Sequence, residues 1–105
     1  MKVEIEFDRN KIVELGYTEE RVKATVMRIH KEKGLPCISG DSVLAFTDNG
    51  RREDYSNLWI NISRLINSKW FLKCATALRW FDNNDDDIYE DVLAQADLLI
   101  RKRAQ

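Results

Sequence analysis

The segment WFLKCATALRWF, residues 70–81, is the longest nearly apolar window of the chain. Its apolar side chains recur at helical spacing. The window is shorter than the roughly 20 apolar residues of a membrane span, and it includes the charged residues Lys73 and Arg79. The stripe consists of Trp70, Phe71, Cys74, Ala77, Leu78 and Phe81. This pattern predicts a helix from about Ser68 to Phe81, which makes the fold mostly helical.

Two strands are predicted upstream of this window, and the first has the period of two that is typical of a strand with one buried face. In the first, the apolar residues Val3, Ile5 and Phe7 alternate with the charged residues Lys2, Glu4 and Glu6. The second is predicted from Ser42 to Thr47, after a loop that begins at Leu35-Pro36. A turn at Asp48-Asn49-Gly50 follows it.

Two helices are predicted between these strands. Asp8 is a good N-cap for a short helix over Asp8–Leu15, which Gly16 would close. Thr18 can cap the next helix, which ends before Gly34. Val22, Val26 and Ile29 share one face of this second helix, and that face should be buried.

Residues 55–66 fit two patterns. As a strand, Leu58, Ile60 and Ile62 would alternate with Trp59, Asn61 and Ser63. As a helix, one stripe would comprise Tyr55, Leu58, Trp59, Ile62, Leu65 and Ile66. The helical pattern matches more residues, and Asp54 is available as a cap, so a helix is predicted here.

A last helix is predicted from about Asp86 to Arg103, with its apolar residues facing inward. These are Ile88, Val92, Ala96 and Leu99. The resulting order is β-α-α-β-α-α-α. The sequence therefore predicts a small α+β domain over residues 1–105 that is mostly helical, with a two-stranded β element.

Length and charge restrict the class of protein. The chain has 105 residues, of which 44% are hydrophobic and 33% charged, and this fits one globular domain. A formal net charge of −1 gives no overall basic field toward nucleic acid or an anionic membrane. The first residues, MKVEIEF, do not form a secretion signal, and Cys37 and Cys74 are not in a CxxC pair, so a cytoplasmic protein with reduced thiols is expected.

Catalytic patterns are incomplete. The segment SGDSV, residues 39–43, resembles the nucleophile box of GDSL hydrolases, but that family also needs a downstream Asp and His, and the only histidine, His30, lies upstream. His30 and Cys37 lack a third residue to orient the imidazole. His30, late in a basic helix, is expected on the surface or near the helix terminus as a dipole partner. No catalytic residue, no cofactor and no enzymatic activity are therefore predicted.

The segment WFDNNDDDIYEDV, residues 80–92, contains six carboxylates in ten residues. An EF-hand loop needs Gly at its sixth position and Glu at its twelfth. A loop that starts at Asp82 has neither residue, and a loop that starts at Asp85 has neither as well, so no metal site is predicted. One or two acids satisfy a helix N-terminus, and Asp87 and Asp91 repel each other at i,i+4. The surplus acids therefore predict a partner-binding surface with an aromatic anchor. Its residues are Trp80, Asp82, Asp85, Asp86, Asp87, Glu90 and Asp91.

The predicted helix over residues 18–34 is an alternative site, for nucleic acid. Its cations are Arg21, Lys23, Arg28 and Lys31. Glu19, Glu20 and Glu32 dilute this charge, and no aromatic residue is interleaved within the helix for base stacking.

In its size, its acidic cluster and its lack of catalytic residues, the chain resembles the small inhibitors that phages and mobile elements carry. Some anti-restriction and anti-CRISPR proteins of this kind use carboxylates as phosphate mimics. The resemblance implies a non-enzymatic protein-binding module, an inhibitor or accessory protein of a basic, nucleic-acid-handling partner.

Overall fold

The computed structural model describes residues 1–40, 43–83 and 88–95. Over these residues it contains five strands and four complete helices, and a further helical segment begins at Val92. The elements are, in order, β1 (Lys2–Phe7), α1 (Arg9–Glu14), α2 (Glu19–Glu32), β2 (Cys37–Ser39), β3 (Val43–Thr47), α3 (Asp54–Ile66), α4 (Lys69–Cys74), β4 (Ala75–Phe81) and β5 (Glu90–Asp91). None of the helices within the described ranges is long and apolar enough to cross a membrane.

The five strands form one sheet in the order β2-β3-β1-β4-β5, and every neighbouring pair is antiparallel. The predicted two-stranded element, β1 with β3, is therefore the middle of a larger sheet. The prediction of a mostly helical domain in the order β-α-α-β-α-α-α was wrong, although the α+β class stands. Two of the missed strands, β2 and β5, are only three and two residues long.

The window 70–81 accounts for the third missed strand. Its helix ends at Cys74, the backbone of Ala75 is extended with φ −81° and ψ 138°, and β4 runs on without an intervening loop. β4 pairs with β1 on one side and with β5 on the other. Four of its side chains are buried, Ala77, Leu78, Trp80 and Phe81. Because these four come from both faces of the strand, the alternation that marks a half-exposed strand is absent, and the apolar run also fitted a helix.

The alternation in β1 was interpreted correctly, because Val3 and Ile5 are fully buried. Val3 pairs with Phe46 and Trp80, and Ile5 pairs with Leu44 and Leu78. Helices α2, α3 and α4 contribute to the same core. The buried helical residues there are Val26, Ile29, Leu58, Ile62, Leu65 and Phe71.

The predicted caps of the first two helices are confirmed. Asp8 accepts hydrogen bonds from the backbone of Asn10 at 2.9 Å and Lys11 at 3.4 Å, and Thr18 accepts one from Arg21 at 3.2 Å. Gly34 ends α2 with φ +71°, and a Cβ at this position would lie 2.8 Å from the guanidinium of Arg51. Glycine is therefore favoured there by its conformation, and a larger residue would also require the guanidinium of Arg51 to move.

Residues 54–66 are helical, as predicted, but Asp54 does not cap α3 as proposed. It is the first helical residue, it is fully buried, and its carboxylate accepts from the backbone of Asn49 at 2.7 Å and of Arg51 at 3.2 Å in the preceding loop. The Arg51 guanidinium lies 2.7 Å from it. Burial alone would raise the pKa of Asp54, but the hydrogen bonds and charge of Arg51 and the bond from Asn49 lower it to about 2. The carboxylate thus joins the loop to α3.

The start of the predicted last helix was wrong. Glu90 and Asp91 pair with β4 as a strand, and helical backbone begins only at Val92. Asp91 accepts a hydrogen bond from the backbone of Ala94 at 3.2 Å and so caps this segment. Val92 is buried as expected, whereas Ile88 is 66% exposed instead of facing inward. Residues 86–87 and 96–103 of the predicted helix lie outside the described ranges.

Candidate functional site

The β5 edge surface consists of Asp82, Ile88, Tyr89 and Glu90. These residues lie at the end of β4 and on and before β5, the last strand at this side of the sheet. Ile88 is 66% exposed and Tyr89 is 52% exposed, while both acids are also exposed. Two large apolar side chains and two carboxylates therefore lie on one edge of the sheet.

The ring of Tyr89 is positioned by two side chains of β4. Its ring centroid lies 5.4 Å from that of Phe81, which is buried, and the guanidinium of Arg79 lies 5.9 Å from the Tyr89 ring centroid. Arg79 is itself fixed by Glu4, at 3.1 Å, and by Glu6, at 2.6 Å. Burial would lower the pKa of Arg79, but the hydrogen bonds and charges of these two acids raise it above its ordinary value. The tyrosine thus rests on an ordered, permanently charged support.

The acids predicted to bind a partner differ in what they do for the fold. The carboxylates of Asp82 and Glu90 have no hydrogen-bond or ion-pair partner within the described residues. Asp91 is also exposed, but its carboxylate caps the segment that begins at Val92. Asp85, Asp86 and Asp87 lie outside the described residues. Within the described part of the chain, two carboxylates of the predicted patch therefore have no cation partner.

Trp80 was predicted as the aromatic anchor of this surface, and the structure places it in the core. It is 4% exposed, with its ring centroid 5.0 Å from that of Trp59 and 5.8 Å from that of Tyr55 on α3. Its side chain faces the helices because it shares the face of Val3 in the register of β1 and β4. Tyr89 and Ile88, which the acidic pattern did not single out, are the exposed apolar residues beside the acids.

The four cations of the alternative site on α2 differ in their exposure and in their ion pairing. Arg21, Arg28 and Lys31 are exposed, and the first and last of these have no ion-pair partner within the described residues. Arg28 lies 3.9 Å from Glu32. Lys23 is partly buried and pairs with Glu19 at 3.1 Å, so it belongs to a different side of the helix.

A cleft of about 220 Å³ lies beside Arg21. Its lining residues are Tyr17, Arg21, Val22, Thr25 and Trp70. The sequence analysis found no aromatic residue inside the basic helix, and that remains true, but the fold brings Tyr17 from the preceding turn and Trp70 from α4 to the same cleft. Trp70 had been assigned to an apolar stripe, and nothing in the local sequence indicates its neighbours on α2.

The one histidine is buried rather than on the surface, which corrects the prediction for it. Its Nδ1 lies 2.8 Å from the carbonyl oxygen of Val26, and its ring stacks on Phe46 with centroids 3.8 Å apart. Burial lowers the pKa of His30, and the bond to Val26 only partly opposes this effect. A neutral imidazole enclosed in this way serves packing. Within the described part of the chain, no three His, Cys, Asp or Glu side chains are grouped to hold a metal.

No protein-family model matches the chain, and neither the curated proteins nor the solved structures contain a significant match to it. The function has therefore to be inferred from the two surfaces themselves.

Proposed function

We propose that this protein is a non-enzymatic binding module that uses the β5 edge surface to contact a protein with a basic surface. The observation that carries the proposal is that Ile88 and Tyr89, both more than half exposed, lie on the same edge of the sheet as Asp82 and Glu90, whose exposed carboxylates have no partner among the described residues. Protein interfaces commonly combine an apolar and aromatic centre with a polar rim.

The fixed position of the Tyr89 ring favours binding. Its ring is already positioned by Phe81 and Arg79, so less side-chain freedom is lost when a partner covers it. Single exposed apolar residues are common, but a pre-positioned tyrosine next to an exposed isoleucine is a larger patch that gains from being covered.

The carboxylates define the chemistry of the partner. Because Asp82 and Glu90 have no cation of their own among the described residues, a basic partner would gain attraction without first breaking an ion pair. Proteins that handle nucleic acid present such basic surfaces to phosphates. An inhibitor or accessory factor of a protein of that class, which the resemblance to phage and mobile-element inhibitors also implies, is the finer form of the proposal.

The test compares variants of the immobilised protein in a host lysate. We expect a partner that is retained by the unaltered chain and lost in two variants, Ile88→Ser with Tyr89→Ala, and Asp82→Asn with Glu90→Gln. The matched control, Glu14→Gln with Glu20→Gln, removes two exposed acids elsewhere and should retain the partner.

Binding kinetics with the purified partner then separate the two contributions. The charge variant should mainly slow association and weaken its salt dependence, whereas the apolar variant should mainly speed dissociation. A retained protein that is indifferent to both edge variants, or that is lost equally in the control, contradicts the proposal.

Nucleic-acid binding by α2 is the second candidate function. It is favoured by one specific observation, the location of Arg21, which has no ion-pair partner among the described residues, beside Tyr17 and Trp70 in a cleft. Cations supply the affinity for phosphates, and aromatic rings supply surfaces on which bases stack.

A further inference from the structure

The cleft beside Arg21 is built from three separate parts of the chain. Tyr17 follows Gly16, whose φ of +78° turns the backbone after α1, and the Tyr17 N–H donates to the carbonyl oxygen of Ile12 at 3.0 Å. Trp70 comes from α4 and packs edge-on against Phe71, with centroids 5.9 Å apart. Arg21 extends from the first turns of α2. Tyr17 remains 44% exposed, so much of its side chain can be reached by a ligand.

The cleft continues along α2. Arg21 and Arg28 line a second depression, whose floor is made by Ala24 and Thr25. Arg28 and Lys31 then line a third and larger one, of about 660 Å³, that extends toward Cys37 and Phe46. With a rise of 1.5 Å per residue, the three cations are spread over roughly 15 Å of helix. Ala24, the small exposed residue between the two arginines, leaves room for an extended ligand to approach the helix backbone.

Acids on this helix do not close the path. Glu19 is engaged by Arg9 and Lys23, both at 3.1 Å. Glu20 lies next to Arg21 in sequence and therefore about 100° round the helix from it. Glu32 weakens only Arg28, at 3.9 Å. Arg21 and Lys31, at the two ends of the path, form no ion pair with any residue that the structure describes.

We infer that α2 binds a single-stranded nucleic acid, with backbone phosphates on Arg21, Arg28 and Lys31 and one unstacked base in the cleft with Tyr17 and Trp70. This inference rests on the second candidate function and makes it specific. The cleft is smaller than the roughly 300–1,000 Å³ of pockets that enclose a whole small ligand, so it suits one ring of a longer molecule. The bases of a duplex are stacked in the helix and cannot enter it, whereas single strands offer unstacked bases to aromatic side chains.

Fluorescence anisotropy tests this with a labelled oligouridylate and, for comparison, a labelled DNA duplex over a range of salt concentrations. We expect the single strand to bind more tightly, with a slope of log affinity against log salt near −2 for three phosphate contacts, at about −0.7 per contact. Tyr17→Ala should weaken binding roughly 5- to 150-fold and leave the slope unchanged, since it removes stacking and no charge. Arg21→Ala should reduce the slope by about 0.7.

Matched controls are available outside the cleft. Arg52→Ala removes an exposed arginine, and Tyr55→Ala removes a tyrosine exposed to a similar degree as Tyr17, so both should bind the oligouridylate as the unaltered chain does. Trp70 is partly buried and packs against the core, so Trp70→Phe is used, with thermal unfolding measured alongside, in place of a truncation. It should weaken binding with less effect on folding.

The outcomes separate the inference from the function on which it rests. Duplex binding as tight as single-strand binding, or an unchanged affinity in Tyr17→Ala, overturns the stacking site but leaves nucleic-acid binding in place. Absence of binding to either probe at low salt overturns both. Polyglutamate that competes as well as unlabelled oligouridylate of equal charge shows an unspecific anion site and also overturns the inference.

Discussion

Two groups of carboxylates in this protein have opposite relations to the fold. Asp54 is fully buried and is held by the Arg51 guanidinium and by the backbone of Asn49 and Arg51. Asp82 and Glu90 are exposed and have no partner among the described residues. A charge with partners on every side is needed by the structure, whereas a charge with none is available to another molecule. The contrast distinguishes acids that stabilise the fold from acids that can act in binding.

The contrast predicts its largest effect at Asp54. Asp54→Ala leaves two loop N–H groups without their acceptor and removes the carboxylate that the Arg51 guanidinium faces, so we expect the melting temperature to fall by more than about 8 °C. Thermal unfolding followed by circular dichroism measures this. A change as small as that of the β5 edge variants would remove the distinction between the two groups of acids.

The pKa of Asp54 predicts the direction in which stability changes with pH. The pKa of Asp54 is about 2 in the folded chain against an ordinary value of 3.8, so its stabilising contribution is fully present above about pH 4 and is lost as the pH falls toward 2. Asp54→Asn, measured by urea unfolding over this window, should show a shallower loss of stability than the unaltered chain. Parallel curves for the two proteins would contradict the assignment.

His30 is a second titratable group that the fold holds, in this case in its neutral form. Burial lowers its pKa below the ordinary 6.5, so below that pH the unfolded chain binds a proton that the folded chain does not. Stability should therefore fall with decreasing pH from about 6.5, by at most about 1.4 kcal/mol per pH unit for one proton. Urea unfolding of the unaltered chain and of His30→Phe between pH 7 and the carboxylate range, about pH 5, should show this slope only in the former.

Sequence alone was sufficient where one local signal determined the structure. The caps Asp8 and Thr18, the alternation in β1 and the helical stripe of residues 55–66 each led to the correct element. The prediction for the window 70–81 failed because its second half is a strand with buried side chains on both faces, and an apolar run of this kind has no period of its own. A strand as short as β5 has too few residues to show a pattern at all.

The candidate surfaces were only partly predictable for a related reason. A local excess of acids is visible in the sequence, and Asp82, Glu90 and Asp91 are exposed in the structure. Whether an aromatic residue beside them faces outward depends on strand register, and the pairing of Trp80 with Val3 places it inside. The cleft on α2 depends on a contact between residues far apart in sequence, which no local pattern contains.

Asp91 is intermediate between the two groups, since it is exposed but caps the helical segment that begins at Val92. Asp91→Ala should cost about 1 kcal/mol of stability, because the cap is lost. Asp91→Asn should cost much less, because asparagine caps nearly as well. Urea unfolding of the two variants measures the difference. Equal losses would show that the charge of Asp91, and not its capping bond, is what the fold uses.

The smallest stability effect is expected where the binding effect is largest. Asp82→Asn with Glu90→Gln removes two negative charges and breaks no hydrogen bond or ion pair within the described residues, so the free energy of unfolding should change by less than about 0.5 kcal/mol. Urea unfolding at low and high salt measures this. The control, Glu14→Gln with Glu20→Gln, should also change stability little, because both acids are exposed and the one ion pair that it removes among the described residues, Glu14 with Lys11 at 3.6 Å, is a surface pair.

The two double variants should then separate in partner association, which slows only for the β5 edge pair because only those charges face the basic partner. A large loss of stability in Asp82→Asn with Glu90→Gln would place these acids with Asp54, as charges that the fold itself requires. Unchanged stability together with unchanged association would mean that the exposed acids serve neither fold nor partner. Only unchanged stability with slower association agrees with a carboxylate surface kept for binding.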